Sequence, residues 1–254
     1  MRLTSVKAAE IPALTTEQMR EVDRLMVEKY GVQIVQMMEN AGRNLASLIR
    51  MQLGGTVAGT SVAIAVGGGN NGGGGMVAAR HLYNMGCDVT VLVKSENLTD
   101  VPKLQWNILR QFPVKKRIGH RAVNFIEDFS GAAIVDSLIG YGLRGAPRGW
   151  TREIIDAVNK NNAIVVALDV PTGLDSTTGE VYDTCIRADS TMTLALPKTG
   201  LLKAGAQSVV GRLYLADIGV PDILYREIDL EVPQIFNSGG VIRLDDDYEG
   251  GHVT

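Results

Sequence analysis

The sequence has 254 residues and a net charge of −3, which offers no overall basic field for binding a nucleic-acid backbone. A hydrophobic fraction of 45% and a charged fraction of 21% exclude a disordered or fibrous protein. We expect a cytoplasmic protein with no membrane segment and with Cys87 and Cys185 as buried thiols, because the sequence contains neither a signal-peptide pattern nor a CxxC motif.

Two amphipathic helices are predicted at the start of the chain. The first begins near Thr15, whose spacing to Gln18 is that of a capping box, and it ends at Gly31. The second covers about residues 33–53 and stops at the glycine pair that follows. Apolar side chains at helical spacing in both segments predict packing against a core.

A strand followed by a glycine-rich turn comes next. Residues 61–66 form a short apolar run that is typical of a strand covered on both faces, and residues 67–75 contain only glycine and asparagine. This turn matches the GxGxxG pattern, in which backbone N–H groups approach phosphate oxygens before a helix. A helix is predicted from Met76 onwards. The turn indicates a dinucleotide-like ligand, and the alternative is a flexible turn without a ligand.

The rest of the chain alternates between predicted strands and helices. Strands are predicted at about 87–93, 132–138, 163–168, 191–196 and 213–216, and helices at about 76–85, 103–112 and 151–161. This alternation predicts a three-layer αβα Rossmann-like sandwich with a mostly parallel central sheet. We expect one domain over residues 1–254 with its core at about 15–222, and a disordered polar tail at 248–254.

Polar residues follow several of these strands, at the edge of the sheet where ligands collect. Asp169, in an Asp-Val-Pro-Thr-Gly turn, must emerge at this edge, because an unpaired carboxylate inside the sheet would be strongly unfavourable. Asp136 precedes a second glycine-rich loop and could instead cap a helix or bind a turn amide. Lys198 would reach the same rim, although a lone lysine is usually solvated.

These motifs together resemble the NAD(P)H-hydrate epimerase family, also known as the YjeF N-terminal domain family. The resemblance covers about residues 15–222 and includes residues 16–19 and 38–42, the glycine–asparagine turn, both aspartate turns and Lys198. Such enzymes interconvert the R and S epimers of hydrated NADH and NADPH (NADHX and NADPHX). An ADP- or ATP-dependent dehydratase then restores the cofactor from the S form. The resemblance therefore implies an isomerase, a dehydratase as its functional partner, and a homodimer formed with help from the N-terminal helices.

The resemblance also implies roles for individual residues. Asp169 would be the general acid or base, and Lys198 would either tune Asp169 or bind the substrate. Oxygen donors from Asn71, Asp136 and Thr172 would bind K⁺. The substrate would be held by Asn70, Asn71, Gly72, Gly73, Gly74, Gly140, Tyr141, Gly142, Leu143, Arg144, Gly145, Ala146 and Asp169. Epimerisation could proceed by departure of the hydroxyl group and return of water, or by ring opening.

One position departs from the family pattern. Gly74 stands where the family turn normally has an aspartate. Loss of a hydrogen bond to a charged group costs about 1.5–3 kcal/mol, so weaker or altered substrate binding is expected. A non-catalytic nucleotide-binding or scaffolding module of the same fold is therefore the main alternative. An NAD-dependent dehydrogenase is a third possibility, supported by the GxGxxG pattern and Glu96, but the asparagine pair and the Asp169 turn argue against it.

Overall fold

A nine-stranded sheet forms the centre of the computed structural model, which describes residues 3–237 and 239–245. The strands are β1 (Ser5–Lys7), β2 (Ser61–Val66), β3 (Asp88–Val93), β4 (Lys115–Ile118), β5 (Ala133–Ser137), β6 (Ile164–Leu168), β7 (Ser190–Leu194), β8 (Arg212–Ala216) and β9 (Val241–Asp245). The helices are α1 (Thr16–Glu28), α2 (Ile34–Gln52), α3 (Asn70–Asn84), α4 (Asp100–Leu109), α5 (His120–Glu127), α6 (Trp150–Val158), α7 (Gln207–Val210) and α8 (Asp222–Arg226).

The order of the strands creates a crevice near the middle of the sheet. The order is β1-β9-β8-β7-β6-β5-β2-β3-β4, and within the described residues every neighbouring pair is parallel except β8 and β9. The chain runs outward from β2 to β4 and then returns to β5 on the other side of β2. Such a reversal leaves a ligand-binding crevice beyond the carboxyl ends of the two central strands. The predicted fold class is confirmed.

Alternate residues of β2 belong to different hydrophobic cores. Val62, Ile64 and Val66 pack in a cluster with residues of α2, α3 and α4. Ala63 and Ala65 pack in a second cluster with residues of α5 and α6. Successive side chains of a strand point to opposite faces, so the apolar run 61–66 is covered on both sides, as its composition predicts. A third cluster joins α1 and α8 to the far half of the sheet.

Some elements differ from the predicted ones. Helix α3 begins at Asn70 rather than Met76, and β1, β4, β9, α5, α7 and α8 were not predicted. The sheet therefore extends beyond the 15–222 range at both ends, where β1 pairs with β9. The tail 248–254 lies outside the described residues.

Other expectations agree with the structure. The capping box of Thr15 and Gln18 is present, and Cys87 and Cys185 are buried free thiols. None of the described helices is long and apolar enough to cross a membrane.

Candidate active site

The glycine–asparagine turn forms the first turns of α3, packed closely against the ends of β2 and β5. A Cβ atom on Gly72 would overlap the carbonyl oxygen of Gly67, and one on Gly75 would overlap the side chain of Ser137. Gly67 itself lies against the backbone of Leu138. These contacts require glycine, so the segment is neither a flexible turn nor a run of left-handed residues. Its close packing brings the start of α3 to the crevice.

A cavity of about 520 Å³ lies at this crevice. Its size is in the range of small-molecule sites, and its walls come from α1, α2, the start of α3 and the segments after β5, β6 and β7. The predicted site residues that line it are Asn70, Asn71, Gly74, Gly140, Tyr141, Gly142, Arg144, Asp169 and Lys198. The predicted site residues outside its lining are Gly72, Gly73, Leu143, Gly145, Ala146, Asp136 and Thr172.

Asp169 and Lys198 form a buried ion pair in the wall of the cavity. Lys198 Nζ lies 2.6 Å from Asp169 Oδ1, and the two side chains are 1% and 4% exposed. Lys198 Nζ also donates to the carbonyl oxygen of Leu194 at 2.7 Å and contacts Thr193 Oγ1 at 3.4 Å. Lys198 therefore lies at the site, as expected, and the alternative of a solvated surface lysine is not observed. Asp169 avoids the penalty for a buried carboxylate by pairing with a cation as well as by lying at the end of its strand.

The loop after β5 is fixed to the other oxygen of Asp169. The backbone N–H of Tyr141 donates to Asp169 Oδ2 at 2.9 Å. A Cβ atom on Gly140 would lie 2.8 Å from this oxygen and 3.2 Å from Asn71 Oδ1, so glycine allows the loop to pass between the two side chains. Asp169 has a φ of 69°, a left-handed conformation that is uncommon outside glycine and that recurs at functional sites. Its carboxylate is thus held in one orientation at the cavity wall.

Asp136 is buried at the end of β5 and bonds to two turns. It accepts hydrogen bonds from the N–H of Leu138 at 3.1 Å, the N–H of Thr172 at 2.8 Å and the hydroxyl of Thr172 at 2.8 Å. The alternative that Asp136 binds turn amides is therefore observed. Burial raises the pKa of Asp136 to about 6, against the opposing effect of these hydrogen bonds.

The donor chemistry around Asp136 fits a hard monovalent cation. Within residues 3–237 and 239–245, no basic side chain lies within ion-pair distance of this carboxylate, so a bound cation would compensate its charge. Asp136, Thr172 and Asn71 offer carboxylate, hydroxyl and amide oxygens, which are the ligands that such cations prefer. Asp136 and Thr172 are in contact, whereas Asn71 lies across the crevice, where its Nδ2 donates to the carbonyl oxygen of Leu168 at 3.2 Å.

Helix α1 contributes cavity residues that the sequence did not reveal. Asp23 lines the cavity and accepts a hydrogen bond of 2.5 Å from the Tyr141 hydroxyl. Arg20 also lines it, as Arg144 does, and neither arginine has an acidic partner among the described residues. The apolar stripe of α1 gave no signal for Arg20 or Asp23, because only the packing of α1 over the loop after β5 brings them to the site.

Residues 35–200 match the family model described as YjeF-related protein N-terminus. The chain belongs to this family. It is 38% identical to an NAD(P)H-hydrate epimerase of Dehalogenimonas lykanthroporepellens over 96% of this chain and 97% of that protein. It is 35% identical to an NAD(P)H-hydrate epimerase of Rhodopirellula baltica over 87% of this chain and 90% of that protein. The family resemblance indicated by the motifs is confirmed.

Two further comparisons concern a longer relative and the fold of this YjeF-family chain. It is 36% identical to a bifunctional NAD(P)H-hydrate repair enzyme of Moorella thermoacetica, over 83% of this chain but 41% of that enzyme. The crystal structure of the yeast protein ynu0 superposes with a TM-score of 0.79 at 24% identity, covering 92% of this chain and all of that one. This last comparison supports the fold alone.

The structure does not support the dehydrogenase alternative, because Glu96 lies away from the cavity. Glu96 is about half exposed, lies 3.9 Å from Arg110 and is not among the residues that line the cavity. A dinucleotide-binding dehydrogenase needs its acidic residue beside the ribose. The GxGxxG match therefore reflects the packing of α3 on β2 rather than a dehydrogenase site.

Proposed function

We propose that this chain is an NAD(P)H-hydrate epimerase, which interconverts the R and S epimers of NADHX and NADPHX. The observation that carries the proposal is the buried Asp169–Lys198 pair in the wall of a cavity at the crevice of the sheet. It is supported by relatives named NAD(P)H-hydrate epimerase at 35–38% identity over most of this chain and of their own length. The activity is an isomerisation with no net redox change.

Asp169 is the proton acceptor of the site. Lys198 compensates its charge, and the N–H of Tyr141 fixes its second oxygen, so the residue presents an oriented carboxylate to the cavity. A general base must be held within hydrogen-bond reach of the proton that it removes. Asp169 meets this requirement for a hydroxyl group or water bound at the reacting ring carbon.

Lys198 positions Asp169 and does not bind the substrate. An ammonium group has three N–H donors, and Lys198 has three acceptors in the protein: Asp169 Oδ1, the carbonyl oxygen of Leu194 and Thr193 Oγ1. Its side chain is also almost completely buried. These contacts favour the tuning role of Lys198 over the alternative role in substrate binding.

The phosphates of the dinucleotide bind near the positive groups of the cavity rim. Arg20 and Arg144 line the cavity without acidic partners in the part of the chain that the structure describes, and guanidinium groups bind phosphate oxygens strongly. The start of α3 at Asn70 adds backbone N–H groups and the positive end of the helix dipole. The diphosphate, which NADHX and NADPHX share, lies there, and the hydrated ring lies next to Asp169.

Potassium is the proposed cofactor, held by Asp136, Thr172 and Asn71. The buried carboxylate of Asp136 and its bond to the Thr172 hydroxyl support this assignment. When bound, the ion supplies a positive charge that compensates Asp136 and stabilises the two turns that Asp136 joins. One of these turns leads into the loop that contains Tyr141, and the other follows Asp169. The ion would therefore support the geometry of the site.

The functional partner is a dehydratase that consumes the S epimer. Bifunctional NAD(P)H-hydrate repair enzymes, of which this chain matches about two fifths of the length, support this partner. The homodimer and the cytoplasmic location stay predictions.

The direct test follows the R epimer of NADHX in the presence of an excess of an S-specific dehydratase, with and without potassium. We expect the protein to accelerate consumption of the R epimer, most strongly in potassium. If the R epimer is consumed at its spontaneous rate under both conditions, the proposal fails and the non-catalytic module becomes the better hypothesis.

A further inference from the structure

Tyr141 connects two carboxylates in the wall of the same cavity. Its backbone N–H donates to Asp169 Oδ2 at 2.9 Å, and its hydroxyl donates to Asp23 Oδ2 at 2.5 Å. All three residues line the cavity, and the Tyr141 ring also lies 5.9 Å from Lys198 Nζ. The proposed function uses Asp169 and leaves the Asp23–Tyr141 pair without a role.

The chemistry of epimerisation calls for a second proton-transfer group. This inference rests on the proposed function. A hydroxyl group that leaves the ring carbon needs a proton from an acid, and the water that adds to the opposite face must lose a proton to a base. In the route through hydroxyl departure, one carboxylate in one protonation state cannot serve both faces at once, so this route calls for two groups in opposite protonation states.

We propose that Tyr141 and Asp23 form this second proton-transfer pair. The Tyr141 hydroxyl contacts the hydroxyl group of the substrate, and Asp23 lies behind it as the source of the proton. Asp169 serves the opposite face of the ring. Tyr141 holds both carboxylates by hydrogen bonds and thereby sets the distance between them.

The surroundings of Asp23 and Asp169 differ in the way that an acid and a base require. Asp169 has a lysine partner at 2.6 Å, whereas no basic side chain among the described residues lies within ion-pair distance of Asp23. Burial raises the pKa of Asp23, and the hydrogen bond from Tyr141 and the charge of Lys198 oppose this effect only in part. A pair of carboxylates whose environments differ in this way is a recurring basis for assigning acid and base roles.

Tyr141 is suited to relay a proton rather than to lose it. Burial raises the pKa of the Tyr141 hydroxyl, so it stays protonated between turnovers. The charged and titratable groups that surround Asp23 are Arg20, Tyr141, Arg144, Asp169, Lys198 and Tyr225.

The proposed step balances protons and electrons. The bond from the ring carbon to the hydroxyl oxygen breaks with its electron pair on oxygen, while the lone pair of the ring nitrogen forms an iminium ion. When substrate binds, the Tyr141 hydroxyl turns from Asp23 to the departing oxygen, and protonated Asp23 becomes the donor to Tyr141. The Tyr141 proton then moves to the departing oxygen as the Asp23 proton moves to Tyr141, and water is released. A water molecule then adds from the other face and gives its proton to Asp169. Cavity water returns that proton to Asp23, and the reverse reaction uses the same groups in exchanged roles.

The test compares Tyr141→Phe and Asp23→Asn with a matched pair outside the cavity. Tyr141→Phe removes the hydroxyl group but keeps the backbone N–H that holds Asp169. The control variants are Tyr30→Phe and Glu227→Gln, because the Tyr30 hydroxyl donates to Glu227 Oε1 at the same distance of 2.5 Å on the surface. We expect kcat to fall roughly 100-fold in each cavity variant with KM changed by less than about threefold. The control variants should retain the wild-type kcat.

Two further measurements decide whether the residues act as a pair. The double variant should lose no more activity than either single variant, because all three changes interrupt one proton path. Wild-type kcat should fall at high pH as Asp23 loses its proton, and this decrease should be absent in Asp23→Asn. If Tyr141→Phe does not fold, Asp23→Asn decides through its kcat and its pH profile.

The proposal is overturned if a folded cavity variant keeps the wild-type kcat, or if the losses multiply in the double variant. A wild-type protein without epimerase activity would instead overturn the proposed function. Active wild-type protein with unaffected cavity variants would remove only the role of the Asp23–Tyr141 pair.

Discussion

Lys198 Nζ and Asp169 Oδ1 are 2.6 Å apart in a part of the protein where both side chains are almost completely buried. Each charge is tolerated there because of the other, and removing one partner of such a pair leaves an uncompensated buried charge. The pair therefore contributes to stability and to the proposed chemistry together. Experiments on either residue must measure both properties.

Asp169→Asn should abolish turnover and also lower the free energy of unfolding by about 3–5 kcal/mol, because the charge of Lys198 loses its partner. The double variant Asp169→Asn with Lys198→Met should regain much of this stability without regaining activity. Urea denaturation and the coupled epimerase assay measure the two effects. Near-normal turnover of the single variant would remove Asp169 from the mechanism.

Gly74→Asp should tighten substrate binding only if Leu168 makes room. Gly74 lines the cavity, but a Cβ atom there would lie 2.9 Å from Leu168 Cδ2. Leu168→Val removes that δ carbon, so the double variant should bind NADHX about tenfold more tightly than the wild type, the gain expected for one charged hydrogen bond. Leu168→Val alone is the reference for the double variant, because Leu168 itself lines the cavity. Equal dissociation constants for all four proteins would show that this site does not need the carboxylate.

Thr172 offers a matched pair of variants for the proposed potassium site. Thr172→Ser keeps the hydroxyl group that bonds to Asp136, and Thr172→Val removes it at nearly constant volume. Replacing choline chloride by potassium chloride should raise the Tm of the wild type and of Thr172→Ser by roughly 5 °C. The increase should be absent in Thr172→Val. An equal increase in the Tm of both variants would show that potassium stabilises the protein independently of this hydroxyl group.

Arg20→Gln and Arg144→Gln should each weaken the binding of NADHX and NADPHX by about tenfold to 100-fold, the expected loss for a charged hydrogen bond to a phosphate. Both substrates should be affected equally if these arginines bind the shared diphosphate. Arg148→Gln is the control, because Arg148 is exposed in the same loop but does not line the cavity. Unchanged affinities in the first two variants would place the phosphates elsewhere.

Much of the central sheet could be predicted because its strands are short apolar runs between turns. The interior strands, such as 61–66 and 164–168, are buried on both faces and carry this signal clearly. Strand β4 reads Lys-Lys-Arg-Ile and lies at an edge, where charged side chains are favoured and the apolar pattern is lost. Strand β1 is only three residues long and depends on β9 for its pairing, so no local pattern identifies it.

The start of α3 shows how tertiary packing overrides local preference. Glycine is a poor helix former, so the sequence predicts a loop as far as Gly75. The structure places residues 70–75 in the helix, where Gly72 and Gly75 pack so closely against Gly67 and Ser137 that a Cβ atom would not fit.

Some residues of the candidate site could also be located from the sequence, and others could not. Asp136 and Asp169 could be located because each ends an apolar strand. Asp23 could not, since it lies on a helix whose own sequence gives no indication of what packs against it.

Strands β1 and β9 pair across almost the whole length of the chain, and Leu14, between β1 and α1, is hydrogen-bonded to the backbone on both sides of Lys198. During synthesis, residues 5–7 emerge before the other strands of the sheet but gain their sheet partner only when residues 241–245 have been made. Contacts of such large sequence separation form late, because closing a long loop is entropically unfavourable. The pairing of β1 with β9 is therefore expected among the last steps in assembly of the sheet.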